Sequence, residues 1–234
     1  MTSSHETAVQ PAIFVLVHGA WSGAWSWERL VPLLRAKGHR VYAPALSGLG
    51  ERSHLDSTLI DLSTHVLDVV NEIRWKDLDR IVLVGHSYSG IVITGVAEEV
   101  GDRIASIVYL DAFLPDNGQS FADMVPGWEL TGDRIEPPPT EPGDYRREED
   151  RAWVDSKATP QPTKTLTSKL RVTGAYEKIG RKTYIQATGW GRGFAETAER
   201  LVARPDWTVL TIASGHDAAI DAPEELAALL ETCI

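Results

Sequence analysis

The stretch Ile81-Val82-Leu83-Val84-Gly85-His86-Ser87-Tyr88-Ser89-Gly90 decides the fold. The apolar run 81–84 reads as a strand, and 91–100 continues as a helix. Between them the chain must turn sharply. A serine at such a turn is held in a strained backbone conformation, and only small neighbours avoid clashes. Its hydroxyl comes to the carboxyl edge of the sheet and to a helix N-terminus, where the dipole favours developing negative charge. Ser87 is therefore a candidate nucleophile. The usual spacing has glycine two residues before and two after the serine. Gly85 keeps the first position and Ser89, still small, takes the second, followed by Gly90.

Outward from this turn, short apolar runs alternate with amphipathic stretches. Strands are expected at 13–17, 40–43, 104–110, 183–187 and 208–212. Helices are expected at 25–37, ended by Gly38, at 59–75 with Leu62, Val66, Val69, Val70 and Ile73 at helical spacing, and at 223–230. Strands alternating with helices imply an α/β fold, a mostly parallel sheet of about six strands with helices on both faces. The pattern breaks over 112–180, where prolines cluster (Pro137-Pro138-Pro139, Pro142, Pro160, Pro162). The expected organisation is a core of 11–111 and 181–234, an inserted lid at 112–180 and a flexible tail at 1–10. A lid is favoured over a disordered loop because Trp128 and Trp153 would be wasted in one. Residues 111–150 hold eleven acids against Arg134, Arg146 and Arg147, whereas 151–182 hold eight bases against Asp155 and Glu177. Two solvated faces explain this; a basic rim recruiting a carboxylate-bearing substrate is the sharper alternative.

The 234 residues are 43% hydrophobic and 24% charged, the mix of a chain that buries a core rather than a disordered or collagen-like one. With 23 basic and 33 acidic residues the formal charge is −10, and the pI is near 5.2. Such acidity argues against nucleic acid or an anionic membrane as partner. Cys233 is the single cysteine, and no Cys/His cluster has zinc spacing, so neither a disulfide nor a metal is expected. The polar first ten residues lack a signal-peptide pattern, and no apolar run approaches the about 20 residues of a membrane span. A soluble, cytoplasmic protein is expected, and a homodimer is compatible with the composition.

Among the seven histidines, His216 follows a strand and Ser214-Gly215, placed to reach Ser87 as general base. His5 falls in the tail, His39 in a turn, His54 and His65 on the expected surface, and His18 and His86 in strand-end turns. The loop His18-Gly19-Ala20 follows the first strand, where one oxyanion amide is donated; the Ala20 and Tyr88 amides are the candidate pair, their side chains only shaping the pocket. Of Trp21, Trp25 and Trp27, one or two are expected in the core and the rest in the cleft. Trp21, Trp128 and Trp153 are the candidate pocket residues.

Val17-His18-Gly19-Ala20-Trp21 with Ala24-Trp25, Gly48-Leu49-Gly50-Glu51-Arg52-Ser53, Gly85-His86-Ser87-Tyr88 and Gly215-His216-Asp217 together resemble the α/β-hydrolases, above all small bacterial esterases related to plant methyl esterases and hydroxynitrile lyases. The resemblance spans about residues 11–125 and 180–232. It implies a Ser–His–acid triad, an acyl-enzyme intermediate and no cofactor. The lyases of this group carry Thr after the first-strand histidine and Lys after the catalytic one; Gly19 and Asp217 stand there, which disfavours cyanohydrin cleavage. Plant relatives take the triad acid from the loop after the penultimate strand. That loop reads Thr188-Gly189-Trp190-Gly191-Arg192-Gly193, with no carboxylate before Glu196. Asp111, ending the preceding strand, is preferred on position. Glu196, or a Ser–His dyad with Asp111 merely structural, remain as alternatives.

The expected activity is serine-dependent hydrolysis of carboxylic esters of small or medium molecules, with lactone, amide and thioester substrates open to the same machinery. A lyase and a ligand-binding protein on a hydrolase scaffold are the other readings.

Overall fold

The computed structural model describes residues 11–190 and 193–234; the tail expected over 1–10 lies outside the described residues. The strands are β1 Ile13–Val17, β2 Arg40–Tyr42, β3 Ile81–His86, β4 Ile104–Leu110, β5 Arg134–Ile135, β6 Gln161–Pro162, β7 Arg181–Ala187 and β8 Trp207–Ile212. Six of them form one parallel sheet in the order β2-β1-β3-β4-β7-β8, while β5 and β6 pair antiparallel as a short ladder.

Strand side chains alternate between two cores. Val15, Val17, Leu83 and Tyr109 enter one; Phe14, Leu16, Val84 and Leu110 enter the other. Helices α1 (Leu30–Ala36) and α8 (Pro223–Glu231) pack on the second face, and α2 (Leu62–Trp75), α3 (Ser89–Val100) and α7 (Ala195–Val202) on the first. A parallel strand covered on both sides must be apolar throughout, which is why β3 reads as an unbroken run. The chain leaves β1 toward β2 and then crosses back to set β3 on the other flank of β1. Strand order reverses there, and the carboxyl ends of β1 and β3 diverge into a crevice.

Two helix starts differ from the sequence expectation. The stretch 25–37 divides into a 3-10 turn at Ala24–Trp27 and α1. Pro32 has no N–H and its ring would strike the carbonyl four residues back, so no helix runs through from 25. Helix α2 begins at Leu62 instead of 59 because Asp61 caps it. The Asp61 side chain accepts from Thr64 N at 3.0 Å, and Asp61 N donates to Thr64 Oγ1 at 3.3 Å. His65, expected on the surface, is fully buried. It lies three residues after Leu62 on the stripe formed by Val66, Val69, Val70 and Ile73, a signal present in the spacing.

The insert 112–180 leaves the sheet after β4 and returns at β7. It holds α4 (Phe121–Met124), α5 (Glu148–Lys157) and α6 (Thr163–Thr167). These elements, four, ten and five residues long, are too short to reveal a period, so the segment reads as irregular in the sequence. Polar clamps fasten it. Arg134 donates to four carbonyls: Gly48 at 3.0 Å, Pro160 at 2.9 Å, Ser53 at 3.1 Å and Leu55 at 2.9 Å. Arg29 grips the buried Asp150 through two bonds of 2.9 and 2.5 Å. Replacing Arg134 by Ala leaves the four carbonyls without their shared cationic donor and is expected to cost about 2 kcal/mol. Thermal unfolding with limited proteolysis checks this: the melting temperature falls, cleavage within 112–180 accelerates, and Lys at 134 does not restore it because one ammonium cannot span both sides of the fork.

Candidate active site

The turn after β3 places Ser87 at φ +54°, the left-handed region that L-residues adopt at a cost of about 1–3 kcal/mol. The neighbouring chain holds it there. Ser87 N donates to Leu110 O at 3.2 Å, and Ser87 O accepts from Gly90 N at 3.0 Å and Phe113 N at 3.1 Å. Within 81–90 every residue but Ser87 is buried. A Cβ at Gly85 would come within 2.7 Å of Ser89 O, and one at Gly90 within 2.0 Å of Phe113 O. The second small-residue requirement thus falls on Gly90, one place later than the usual spacing. Ser89 is tolerated because its hydroxyl donates to the His18 carbonyl.

Two buried histidines hold the surroundings of the turn. His18 Nε2 accepts from Leu46 N at 3.1 Å, so Nδ1–H donates to Gly19 O at 2.9 Å and pins the loop after β1. His65 Nε2–H donates to Ser47 O at 2.9 Å, leaving Nδ1 to accept from the Tyr88 hydroxyl at 3.0 Å. Burial lowers both imidazoles to about 4, and both are neutral at physiological pH. The Tyr88 ring is therefore drawn into the core, contrary to the expectation that it shapes the pocket. Its amide stays at the head of α3.

Asp111 ends β4 and is fully buried at φ +41°. Its Oδ1 accepts from Ala187 N at 3.1 Å; its Oδ2 accepts from Trp190 Nε1 at 3.1 Å and lies 2.7 Å from His216 Nδ1. His216 follows β8 and is partly buried. Burial pulls its pKa down, but the hydrogen bond and charge of Asp111, aided by Asp217 and Asp144, outweigh this and raise it above the ordinary imidazole value. His86 Nε2–H donates to His216 O at 3.0 Å; burial, then the neighbouring His216, lowers His86 to about 4. The structure brings Asp111 and His216 together. Glu196 lies exposed in the first turn of α7.

Ser87 and His216 line one cavity of about 490 Å³. The sheet edge supplies Gly19, Ala20, Trp21 and Trp190; the insert supplies Val125, Trp128, Pro137, Tyr145 and Val154. Trp21 and Trp128 meet at 5.4 Å between ring centroids. Trp153 does not line the cavity, contrary to expectation. On α5 it is Val154 and Asp155, with Ala158 just after it, that face inward, while Trp153 stands behind Trp25 at 5.1 Å with the Arg29 guanidinium over it. Trp27 is core. The charged side chains among the described lining residues are Asp144, Asp155 and Asp217, so the alternative of a basic rim finds no support among the described residues. Three of the eight bases of 151–182 are engaged elsewhere: Lys164 reaches Thr58 O, Lys182 at the start of β7 reaches Glu177 O and Ile179 O, and Arg151 pairs with Glu148.

Sequence reasoning missed three contributors. Tyr145 donates from the insert to Asp217, and Trp190 and Phe194 stack on His216. Trp190 was visible in the loop after the penultimate strand, where a carboxylate was sought. Among the described residues no group of three or more His, Cys, Asp or Glu side chains is arranged to hold a metal ion, and no helix is long and apolar enough to cross a membrane.

The family model described as alpha/beta hydrolase matches residues 14–229. A carbendazim hydrolyzing esterase of Nocardioides sp. (strain SG-4G) is 37% identical over 235 residues, covering 92% of this chain and 97% of that protein. An alpha-hydroxynitrile lyase of Arabidopsis thaliana is 39% identical over 106 residues, 44% of this chain and 40% of that protein. Among solved structures, an extracellular alpha/beta-hydrolase from a Paenibacillus species, described as sharing structural and functional homology with tobacco salicylic acid binding protein 2, superimposes with a TM-score of 0.84 at 28% identity, over 95% of this chain and 99% of that one. With a strained serine after the third strand, a histidine after the last and a family match across nearly the whole sheet, the chain belongs to the alpha/beta hydrolase family.

Proposed function

We propose that the protein is a serine carboxylesterase with Ser87 as nucleophile, His216 as general base and Asp111 as the triad acid. The observation that carries this reading is the 2.7 Å contact between His216 Nδ1 and the buried Asp111 carboxylate, in the same cavity as the strained Ser87. With Nδ1–H donated to Asp111, His216 Nε2 takes the Ser87 proton as Oγ attacks the ester carbonyl. The Ala20 and Tyr88 amides receive the oxyanion. His216 then gives the proton to the departing alkoxide, and water, activated by the same nitrogen, releases the acid and restores Ser87. Full-length similarity to the Nocardioides esterase supports hydrolysis.

The insert acts as a lid, since much of the cavity wall comes from it. The tryptophans and prolines of the cavity wall favour compact, flat, apolar esters, and the carboxylates Asp144, Asp155 and Asp217 disfavour anionic ones. The lyase reading fits poorly. A Cβ on Gly19 would meet His86 Nδ1 at 3.0 Å and Ser87 Cβ at 3.3 Å, leaving no room for a threonine without a shift, and Asp217 bonds to Tyr145 where the lyases carry Lys.

A fluorophosphonate is expected to label Ser87 stoichiometrically, and Ser87→Ala to lose about 10⁶ in kcat toward a neutral aryl ester with its fold intact. Normal turnover in that variant defeats the serine mechanism. For the acid, Asp111→Asn loses on the order of 10⁴ in kcat and Glu196→Gln less than about tenfold, because the one orients and charges the imidazole and the other faces solvent; the reverse ranking moves the acid to α7. The kcat/KM profile is expected to rise with pH, since the neutral imidazole is the base. Its midpoint lies above the ordinary histidine value, because the folded-state shift of His216 is upward. A midpoint below 6.5, measured between pH 5 and 9, contradicts the pairing with Asp111.

A further inference from the structure

Loop 188–193 carries no carboxylate, yet its described part is built round one side chain. Trp190 Nε1–H donates to Asp111 Oδ2 at 3.1 Å, the oxygen that also faces His216 Nδ1 at 2.7 Å. The same indole lies over the His216 ring, centroids 4.5 Å apart and planes 27° from parallel. Two glycines seat it. Gly189 N donates to Ser214 O at 2.8 Å, and a Cβ at Gly189 would come within 2.6 Å of that oxygen, so the loop lies directly on the segment leading to His216. Gly193, at φ +140°, presses against the indole, where a Cβ would meet Cζ2 at 3.0 Å.

We propose that Trp190 is a positioning residue for the Asp111–His216 pair, its N–H sharing the carboxylate and its ring face holding the imidazole plane. The inference rests on the triad reading above. A buried carboxylate needs its lone pairs filled, and here Ala187 N, Trp190 Nε1 and His216 Nδ1 fill them. The indole N–H draws charge from Oδ2, so Asp111 orients His216 without locking it in the protonated form. The ring face acts oppositely, because an aromatic quadrupole attracts the imidazolium that forms as Ser87 is deprotonated. A single side chain thus sets the orientation of the base and balances its proton affinity from two sides. Among the described residues, the other titratable or charged groups facing His216 are Asp217, Asp144 and the ring of His86, 4.5 Å away. None of these is altered by replacing Trp190.

The test compares Trp190→Phe, which keeps an aromatic face and loses the N–H, with Trp190→Leu, which loses both. The full chain is assayed on a neutral aryl ester from pH 5 to 9, with fluorophosphonate titration of Ser87 counting folded sites. Trp190→Phe is expected to lower kcat about tenfold with KM within about twofold, and to move the kcat/KM midpoint up by about half a unit, because the unshared carboxylate holds the proton on His216 more firmly. Trp190→Leu loses about 10² in kcat, and its midpoint lies below that of Trp190→Phe because the π face is gone. Combined with Asp111→Asn, Trp190→Phe adds less than about a twofold loss, as expected of a residue that acts through another.

A rise in KM with an unmoved midpoint makes Trp190 a pocket wall and overturns the proposal, as do fully additive losses with Asp111→Asn. If the Trp190 variants do not fold, Gly193→Ala crowds the indole with every group retained; a shifted midpoint supports the proposal and an unmoved one overturns it. If the wild-type chain neither labels nor turns over esters, the hydrolase reading is what fails. The clamp is then read by NMR titration of His216, where Trp190→Phe still raises the pKa if the proposal holds and an unchanged pKa overturns it.

Discussion

Two strained residues brace one another at the middle of the sheet, and the site is arranged round that brace. Ser87 ends β3 and Asp111 ends β4, both at positive φ. The chain after each strand hydrogen-bonds to the other: Ser87 N to Leu110 O, and Phe113 N to Ser87 O. Neither conformation is favourable alone. The residues on either side of Asp111 supply Ser87's partners, while β7 holds Asp111, whose N donates to Ile185 O at 2.7 Å, and Gly90 is seated so close to Phe113 O that no side chain fits between. Backbone strain is thereby turned into position, a serine hydroxyl and a carboxylate carried to the same edge of the sheet.

In the proposed triad, this brace lets the acid come from the end of β4 rather than from the loop after β7. A triad acid must reach Nδ1 of the histidine, and any strand flanking the nucleophile strand ends near enough to do so. With Asp111 beside His216 after β4, the loop after β7 places an aromatic ring, Trp190, against the same pair. Trp190 and Phe194 then form an apolar wall against His216 where a charge would otherwise stand. The electrostatic consequence is a single buried carboxylate, satisfied by three donors, facing an imidazole whose proton affinity it raises.

The insert completes the enclosure by fastening to the core through charged groups bonded mostly to backbone. Arg134 draws four carbonyls together across two loops, and Arg29 binds both Asp150 and the Ile220 carbonyl. Such clamps position a segment too small to form a core of its own. The acidic residues Asp144 and Asp155 come to the cavity, and the lysines turn away. The charge asymmetry of the insert therefore describes the lining in the opposite sense from a cationic rim.

What the sequence determined by itself is whatever local chemistry dictates. The unbroken apolar run of β3 requires burial on both faces, Gly85 and Gly90 require close backbone approach, and Ser87 between strand and helix requires the strained turn; the fold and the position of Ser87 follow from these. Position at a strand end was enough to favour Asp111 over Glu196. Tertiary structure decided the rest, because it depends on distances between chain segments far apart in sequence. Trp190 and Asp111 are 79 residues apart, and nothing in their neighbourhoods announces a shared oxygen. Trp153 faces Trp25 because α5 is set against the core by the clamp between its Asp150 and Arg29, a contact across 121 residues of sequence. His65 shows the boundary between the two. Its place on the helical stripe of α2 carries a signal of burial that the surface expectation passes over, while its bond to Tyr88 arises only once α2 packs beneath the turn. Local pattern sets which residues are interior; the pairing of polar groups inside is set by packing, since hydrogen bonds depend on tenths of an ångström that no spacing encodes.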